Sequence, residues 1–116
     1  MDAVRIILLF GSNFEEFYNR QSNEARRKID HVLKLIAHIE KVPKKFLKYV
    51  ESTDGLYEIR ISFGNATLRI FCFFDSERKL ILLNGVVKKK EKLPKNELVL
   101  AEKCKKEYFN QKSTGA

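Results

Sequence analysis

The segment from residue 55 to residue 94 constrains the fold more than any other part of the chain. It contains three runs rich in Val, Ile, Leu and Phe, and the turn residues Gly64-Asn65 and Asp75-Ser76 separate them. Apolar runs separated by such turns are typical of an antiparallel meander. The last run ends in a lysine cluster, Lys88-Lys89-Lys90. The segment therefore predicts a three-stranded meander with cations gathered at the end of its last strand.

Alternation along these strands predicts which side chains share a face of the sheet. In the first run an apolar face alternates with a polar face that carries Glu58, Arg60 and Ser62. In the second run, Arg69 shares a face with two phenylalanines. An arginine in that setting needs water or an anion as its partner, and a phosphate backbone is the simplest such anion. The third run, Leu80 to Val87, is apolar on both faces, which is typical of a strand covered on both sides.

Patterns with helical spacing lie on either side of the meander. A first strand is predicted from Val4 to Phe10, and a short helix begins at Ser12, where the sequence has the S-x-x-E spacing of a capping box. A longer helix with one apolar face follows from about Asn23 to Glu40. Residues 42–47 are predicted as a loop or single turn, and Leu93-Pro94-Lys95 opens a closing helix with proline at its first position. The predicted fold class is α+β, an antiparallel-rich sheet with two N-terminal helices on one face and a C-terminal helix.

Length and charge limit the classes of protein that remain. The 116 residues suffice for one domain with its own core, which we expect over residues 1–112, followed by a frayed tail at 113–116. The formal net charge of +8 favours a polyanionic partner such as nucleic acid, the ribosome surface or an acidic protein. A protein with a solvated basic face is the open alternative.

The sequence predicts neither a disulfide, nor a metal site, nor a membrane-spanning segment. Cys72 and Cys104 are too isolated for a disulfide framework or a metal-ligand pattern, so we expect reduced packing residues. His31 and His38 lack a Cys or carboxylate at ligand spacing, and no metal or cofactor is predicted. No apolar stretch approaches the roughly 20 residues that a bilayer requires, and the start of the chain lacks a signal-peptide pattern. A cytoplasmic location is expected.

The order strand, helix, helix, three strands and helix resembles the RelE/ParE toxin superfamily. The likeness runs from about Val4 to Phe109. It is strongest over residues 55–94, where GLYEIR, the LRIF around Arg69 and LLNGVVKKKEKLP follow one another. The branch that the chain most resembles is the HigB-like, phage-derived group of toxins from type II toxin-antitoxin modules. A RelE-like single domain is the fold that this resemblance implies.

The function that the resemblance implies is that of an endoribonuclease, an mRNA interferase that cuts messenger RNA on the ribosome. In such toxins, basic residues on the concave side of the sheet act without a metal ion. The RNA 2′-hydroxyl attacks the adjacent phosphorus, and the protein aligns the attack, stabilises the phosphate charge and manages two proton transfers. The implied partners are messenger RNA, the ribosome and a cognate antitoxin protein in a hetero-oligomeric complex.

The family's basic catalytic positions fall on five residues of this sequence. The resemblance assigns Arg69 to phosphate stabilisation and places Arg60 nearby on the preceding strand. Arginine suits this task because its guanidinium stays charged and grips two phosphate oxygens at once. Lys88 and Lys89 match a lysine pair of the family, with Lys90 adjoining, and one of these lysines would serve as the base or the acid. The candidates for RNA binding around the site are Lys44, Lys45 and Lys92.

Several alternatives remain open at the level of sequence. Arg60 could pair with Glu58 or Asp54 instead of a phosphate, and the lysine run could be a solvated strand end. Residues 84–93 contain neither the His nor the Tyr that several relatives use as a general acid. A lysine could transfer the proton instead, or the chain could be a slow or altered member. ParE-type members of the superfamily inhibit DNA gyrase instead of cleaving RNA. A non-catalytic RNA-binding module would carry the same basic patch. The chain could also be the inert partner of an antitoxin.

Overall fold

The structure is a computed structural model that describes residues 2–88 and 94–114. Within these ranges the chain forms five strands and three helices. In chain order they are β1 (Ile6–Leu9), α1 (Asn13–Asn19), α2 (Asn23–His38), β2 (Leu47–Tyr49), β3 (Leu56–Phe63), β4 (Ala66–Ser76), β5 (Lys79–Lys88) and α3 (Lys95–Ser113). The helices of the described ranges include none that is long and apolar enough to cross a membrane.

The strands form one sheet in the order β1-β5-β4-β3-β2. β3, β4 and β5 pair antiparallel in succession, and β2 pairs antiparallel with β3. β1 pairs with β5 in parallel, so the first strand lies at the sheet edge away from its sequence neighbours. The meander predicted from residues 55–94 is therefore confirmed. Gly64, in the turn between β3 and β4, has a φ of +62°, a conformation that suits the tight turn of a hairpin and favours glycine.

The sheet separates two apolar cores. On one face α1 and α2 bury Phe17, Ile29 and Ile36 against the strands. On the other face α3 buries Ala101 and Cys104 against Phe71, Phe73 and Leu83. β5 is buried on both sides, since Leu80 and Leu82 belong to the first core and Ile81 and Leu83 to the second. The predicted α+β class and the placement of the helices are confirmed.

Both cysteines are buried and unpaired, as predicted. Cys72 belongs to the core beneath α1 and α2, and Cys104 lies in the core beneath α3. Burial raises the pKa of both thiols, so both stay protonated at neutral pH. The two cysteines therefore act as packing residues in separate cores.

The predicted loop at residues 42–47 is wrong at its end, because Leu47 belongs to β2. This strand is only three residues long and shows no alternation of its own. It forms because Leu47, Lys48 and Tyr49 pair with β3 across the sheet. Tertiary pairing, which a local pattern does not report, decides its existence.

The predicted helix starts and ends shift by a few residues. Ser12 does precede α1, but its φ of −107° and ψ of −5° are helical, and its side chain makes no capping hydrogen bond. The predicted capping box is therefore wrong, because a capping side chain requires extended backbone at that position. Ser22 has this extended geometry and accepts a hydrogen bond from Ala25 N at 3.1 Å. α2 ends at His38, two residues before the predicted end, and Pro94 caps α3 instead of opening it.

The domain boundary predicted at residue 112 stays a prediction. α3 continues through Ser113 and is capped by Thr114. The last two residues of the predicted tail lie outside the described ranges.

Candidate functional site

One face of the sheet carries a group of polar side chains beside α3. α3 packs on β4 and β5, and the β2 and β3 part of the same face lies beyond it. The strand register aligns side chains in three rows across this face. The rows are Lys48, Glu58, Phe71 and Asn84; Arg60, Arg69 and Val86; and Ser62, Thr67 and Lys88. Arg60 and Arg69 therefore lie in one row on the same face.

Arg60 and Arg69 lie directly opposite each other on β3 and β4, with Glu58 between their side chains. Glu58 Oε1 is 3.4 Å from Arg60 Nε, and Glu58 Oε2 is 3.6 Å from Arg69 Nη1. The Arg60 side chain is 34% exposed, whereas those of Arg69 and Glu58 are 5% and 7% exposed. We call these three residues the arginine cluster. The cluster has a formal net charge of +1. Arg60 lies at the surface, and Arg69 is buried beneath it.

Several polar atoms of this face are buried without a hydrogen-bond partner among the described residues. They are Glu58 Oε2, Arg69 Nε and Asn84 Oδ1. The separation of Glu58 Oε2 and Arg69 Nη1 is longer than a hydrogen bond, so their attraction is Coulombic. Most buried polar groups in native proteins find a partner, so these three atoms are the polar groups of this face that retain hydrogen-bonding capacity.

Asn84 joins this face because of an irregularity in the sheet. The β4–β5 register shifts between Phe71 and Cys72, which is the signature of a β-bulge. Two consecutive residues, Leu83 and Asn84, consequently contact α3. Leu83 belongs to the core beneath α3, and Asn84 Nδ2 donates a 2.9 Å hydrogen bond to Glu97 O. This bond fixes the first turn of α3 beside the arginine cluster.

Two lysines flank the arginine cluster from opposite sides. Lys88 extends from the end of β5 and pairs with Thr67, two residues from Arg69 along β4. Lys48 extends from β2 opposite Glu58 and is exposed. Sequence reasoning missed Lys48, because β2 itself gave no signal until it paired with β3.

The other predicted site residues lie at the rim or outside the described residues. Lys44 and Lys45 are exposed in the turn before β2, and Lys45 Nζ lies 5.0 Å from the centroid of the Phe46 ring. Lys89, Lys90 and Lys92 lie outside the described residues, so their predicted roles stay predictions. The possible pairing of Arg60 with Glu58, left open by the sequence, is present in the structure.

The tyrosines most able to transfer a proton are engaged elsewhere. Tyr108 donates a 2.6 Å hydrogen bond to Asp75, at the opposite end of β4 from Arg69. That hydrogen bond, with burial, raises the pKa of Tyr108 to about 12. Tyr57 lies on the other face of the sheet, packed edge-on against Tyr49. Neither hydroxyl belongs to the arginine cluster.

The geometry suits the binding of an anion. Guanidinium and ammonium groups from four strands converge on one face, and their charge does not depend on a metal ion. Among the described residues, no cluster of three or more His, Cys, Asp or Glu side chains could hold a metal.

Residues 16–106 match the family described as phage derived protein Gp49-like (DUF891). This match spans more than three quarters of the sequence and includes the arginine cluster and most of α3. The chain belongs to this Gp49-like family. The phage-derived branch predicted from the sequence is therefore confirmed, and the HigB-like subtype stays a prediction. A comparison with curated proteins finds no match.

A solved structure supports the fold. The chain is similar to a chain in the crystal structure of the archaeal RelE-RelB complex from Pyrococcus horikoshii OT3, with a TM-score of 0.52 and 10% sequence identity. The alignment covers 77% of this chain and 99% of that chain. At such identity the likeness shows the fold alone. The predicted RelE-like fold of this Gp49-like protein is therefore confirmed.

Proposed function

We propose that this Gp49-like protein is the toxin of a type II toxin-antitoxin module and a metal-independent endoribonuclease. The observation that carries the proposal is the arginine cluster. Like charges directly opposite each other destabilise a pair of strands, and one carboxylate neutralises only one of the two arginines. A phosphodiester would neutralise the second and accept hydrogen bonds from guanidinium donors. The RelE-like fold and the phage-derived family support the same conclusion.

The proposed reaction is transfer of the RNA phosphoryl group to the neighbouring 2′-oxygen. The 2′-hydroxyl loses its proton to a base, its oxygen bonds to phosphorus, and the bond to the 5′-oxygen breaks. The departing 5′-oxygen takes a proton from an acid. The products are a 2′,3′-cyclic phosphate, which can open to a 3′-phosphate, and a 5′-hydroxyl end.

Each charged residue has a role that its position allows. Arg60, the more exposed arginine, makes first contact with the phosphate, and Arg69 stabilises the charge that develops on it. Lys48 on β2 and Lys88 on β5 flank the arginines from opposite sides, so that one would lie on each side of a phosphate bound by the arginines. We assign the two proton transfers to this pair: one lysine accepts the 2′-hydroxyl proton as its neutral amine, and the other gives a proton to the departing 5′-oxygen as its ammonium. Lys89 and Lys90 are neighbours of Lys88 in sequence.

The remaining partners follow from the same proposal. Lys44, Lys45 and Lys92 bind RNA around the site, and the substrate is messenger RNA on the ribosome, as for HigB-like toxins. A small antitoxin protein encoded beside this gene covers the basic face. Absence of such a neighbouring gene would count against the toxin-antitoxin assignment.

Growth and RNA cleavage test the proposal together. Expression of the wild-type protein without its antitoxin should arrest growth and produce RNA fragments with 5′-hydroxyl ends. Arg60→Ala and Arg69→Ala should lower the cleavage rate at least about 100-fold and relieve the arrest, since each removes a donor to the transition state. Arg78→Ala, an exposed arginine in the β4–β5 turn, is the matched control and should leave cleavage unchanged.

The outcome that contradicts the nuclease is full toxicity of an Arg69→Ala variant that remains folded by circular dichroism. A gyrase assay run in parallel distinguishes the ParE-type alternative. Double-strand DNA breaks without RNA cleavage would assign the protein to that class instead.

A further inference from the structure

A basic cavity lies next to the arginine cluster, around the open edge of β3. It occupies about 450 Å³ between α2, the turn before β2 and the edge of β3. Arg27 and Lys28 of α2 line one wall, Lys45 lines another, and Arg60 of β3 completes it. We call this cavity the α2 groove. Its volume is in the range of pockets that hold small ligands or nucleotides.

The α2 groove is lined by positive charge, and no Asp or Glu is among its lining residues. Arg27, Lys28 and Lys45 line it together with His31 and with Arg60, whose side chain is also paired with Glu58. The cavity beside α1 differs, because Glu15 and Asp30 line it. An excess of cations around a concave surface concentrates anions there. The charge of the α2 groove therefore selects a negatively charged occupant.

The floor of the α2 groove is apolar. Val32 and Ile61 are buried in the core beneath it, and Phe46 is half-buried. Inorganic phosphate alone would gain nothing from such a floor. An occupant that combines an anion with a flat apolar part, as a nucleotide combines a phosphate with a base, matches both the walls and the floor.

The edge of the sheet connects the α2 groove to the arginine cluster. β2 pairs with β3 only as far as Ile59, so no described strand continues this pairing along Arg60 to Phe63. Arg60 N donates a 2.8 Å hydrogen bond to Phe46 O, which fixes the turn before β2 at this point. Lys28 Nζ bonds to Ser62 O at 3.2 Å and lies 5.4 Å from the centroid of the Phe63 ring. Arg60 thus belongs to both places.

We propose that the α2 groove binds a nucleotide of single-stranded RNA that flanks the scissile phosphate. The strand passes around the β3 edge, its phosphates contact the groove cations, and a base packs on the Phe46 side of the floor. This inference rests on the function proposed for the arginine cluster and adds a second contact to it. The groove supplies affinity and sets the direction in which the RNA lies.

Binding of an RNA that resists cleavage tests the α2 groove separately from catalysis. The probe is a fluorescent single-stranded oligonucleotide with 2′-O-methyl groups, which removes the attacking hydroxyl. The triple variant Arg27→Ala/Lys28→Ala/Lys45→Ala is compared with a control that removes the same charges from exposed positions elsewhere. The control is Lys34→Ala/Arg78→Ala/Lys103→Ala.

The groove variant should bind at least 10-fold more weakly than the control at the same salt concentration. Its slope of log affinity against log salt should fall by about 2, since each lost phosphate contact on a single strand removes about 0.7. An abasic oligonucleotide of equal length should bind wild-type protein several-fold more weakly than the intact one, because it offers no base to the floor.

Three outcomes would overturn the α2 groove as an RNA site. They are absence of wild-type binding, equal weakening in the groove and control variants, and equal affinity for intact and abasic strands. A preference for duplex RNA over the single strand would likewise contradict the proposal. Cleavage is measured separately: a wild-type protein that binds through the groove but never cuts RNA removes the nuclease proposal and leaves the binding site intact.

Discussion

Residues in the arginine cluster combine burial with incomplete neutralisation. Arg69 lies almost wholly out of solvent, and Glu58, its partner, is shared with Arg60. Taking such charges out of water costs several kcal/mol each, and loose ion pairs recover only part of it. A site that must receive an anion has a reason to keep this arrangement, because full neutralisation from within would leave nothing for the ligand to bind.

Replacing Glu58 should reveal how strongly the cluster depends on it. Glu58→Gln should lower the free energy of unfolding by about 3 kcal/mol, because Arg69 loses its counter-charge while buried. Arg69→Met removes that stranded charge, so the double variant should cost at least about 1 kcal/mol less than the sum of the single changes. Urea unfolding measures all four proteins.

Glu77→Gln and Arg78→Met provide the matched cycle at exposed positions of the β4–β5 turn. Their effects should add, since surface charges interact weakly. Additivity in the Glu58 and Arg69 cycle as well would mean that the two side chains do not interact in the folded protein.

At the scale of elements, α3 is held at both ends by polar contacts. Asn84 fixes its first turn through Glu97 O, beside the arginine cluster. Near its end, Tyr108 and Lys112 both donate hydrogen bonds to Asp75 at the end of β4. The hydrogen bonds from Lys112 and Tyr108 lower the pKa of Asp75 below its usual range. α3 therefore depends on one carboxylate for its far attachment and on one amide for its near one.

Asp75→Asn should loosen the far end of α3. The free energy of unfolding should fall by about 1.5–3 kcal/mol at pH 7, as for hydrogen bonds to a charged group. Because the pKa of Asp75 is lowered by folding, its contribution is present above about pH 4 and is lost as pH falls through the folded value. Unfolding curves of wild type and variant should therefore differ at pH 7 and converge near pH 2. A difference that persisted at that acidic pH would exclude the carboxylate as its source.

At the scale of the whole molecule, the protein has three layers: α1 with α2, the sheet, and α3. The first two layers come into close contact at one point on β5. Gly85 lies under the Phe17 ring of α1, and a Cβ at Gly85 would come 2.5 Å from Phe17 Cδ2. The absence of a side chain at Gly85 allows α1 to pack close to the sheet, where Phe14 and Phe17 belong to the core. The strand that carries Asn84 and Lys88 to one face is thus packed tightly on the other.

Gly85→Ala should destabilise the protein by about 1–3 kcal/mol through overpacking against Phe17. Phe17→Leu replaces the ring with a smaller side chain, so Gly85→Ala should destabilise the protein less in that background. The double variant should therefore lose less free energy of unfolding than the sum of the two single losses. Thermal unfolding measures the three variants. Equal stability of Gly85→Ala and wild type would show that α1 moves freely over β5.

Particular residues show where sequence reasoning succeeded and where it stopped. The faces of Arg60 and Arg69 followed from alternation, because side chains in any extended strand point to opposite sides in turn. The role of Ser12 did not follow from its spacing, because a capping box also requires extended backbone at Ser12. The place of Lys48 beside Glu58 and the bulge at Asn84 did not follow from the sequence either. Both depend on which strands pair and in what register, which no local pattern encodes.

By itself the sequence determined the α+β class, the meander, the two apolar cores and the faces of the arginines, because these follow from periodicity and burial of apolar side chains. The resemblance of residues 55–94 to RelE-like toxins pointed to the family. Only the tertiary structure decided that Glu58 lies between the two arginines, that Lys48 joins them and that the α2 groove opens at the β3 edge. These features come from contacts between strands and between layers, whose geometry is set when the sheet and its helices pack.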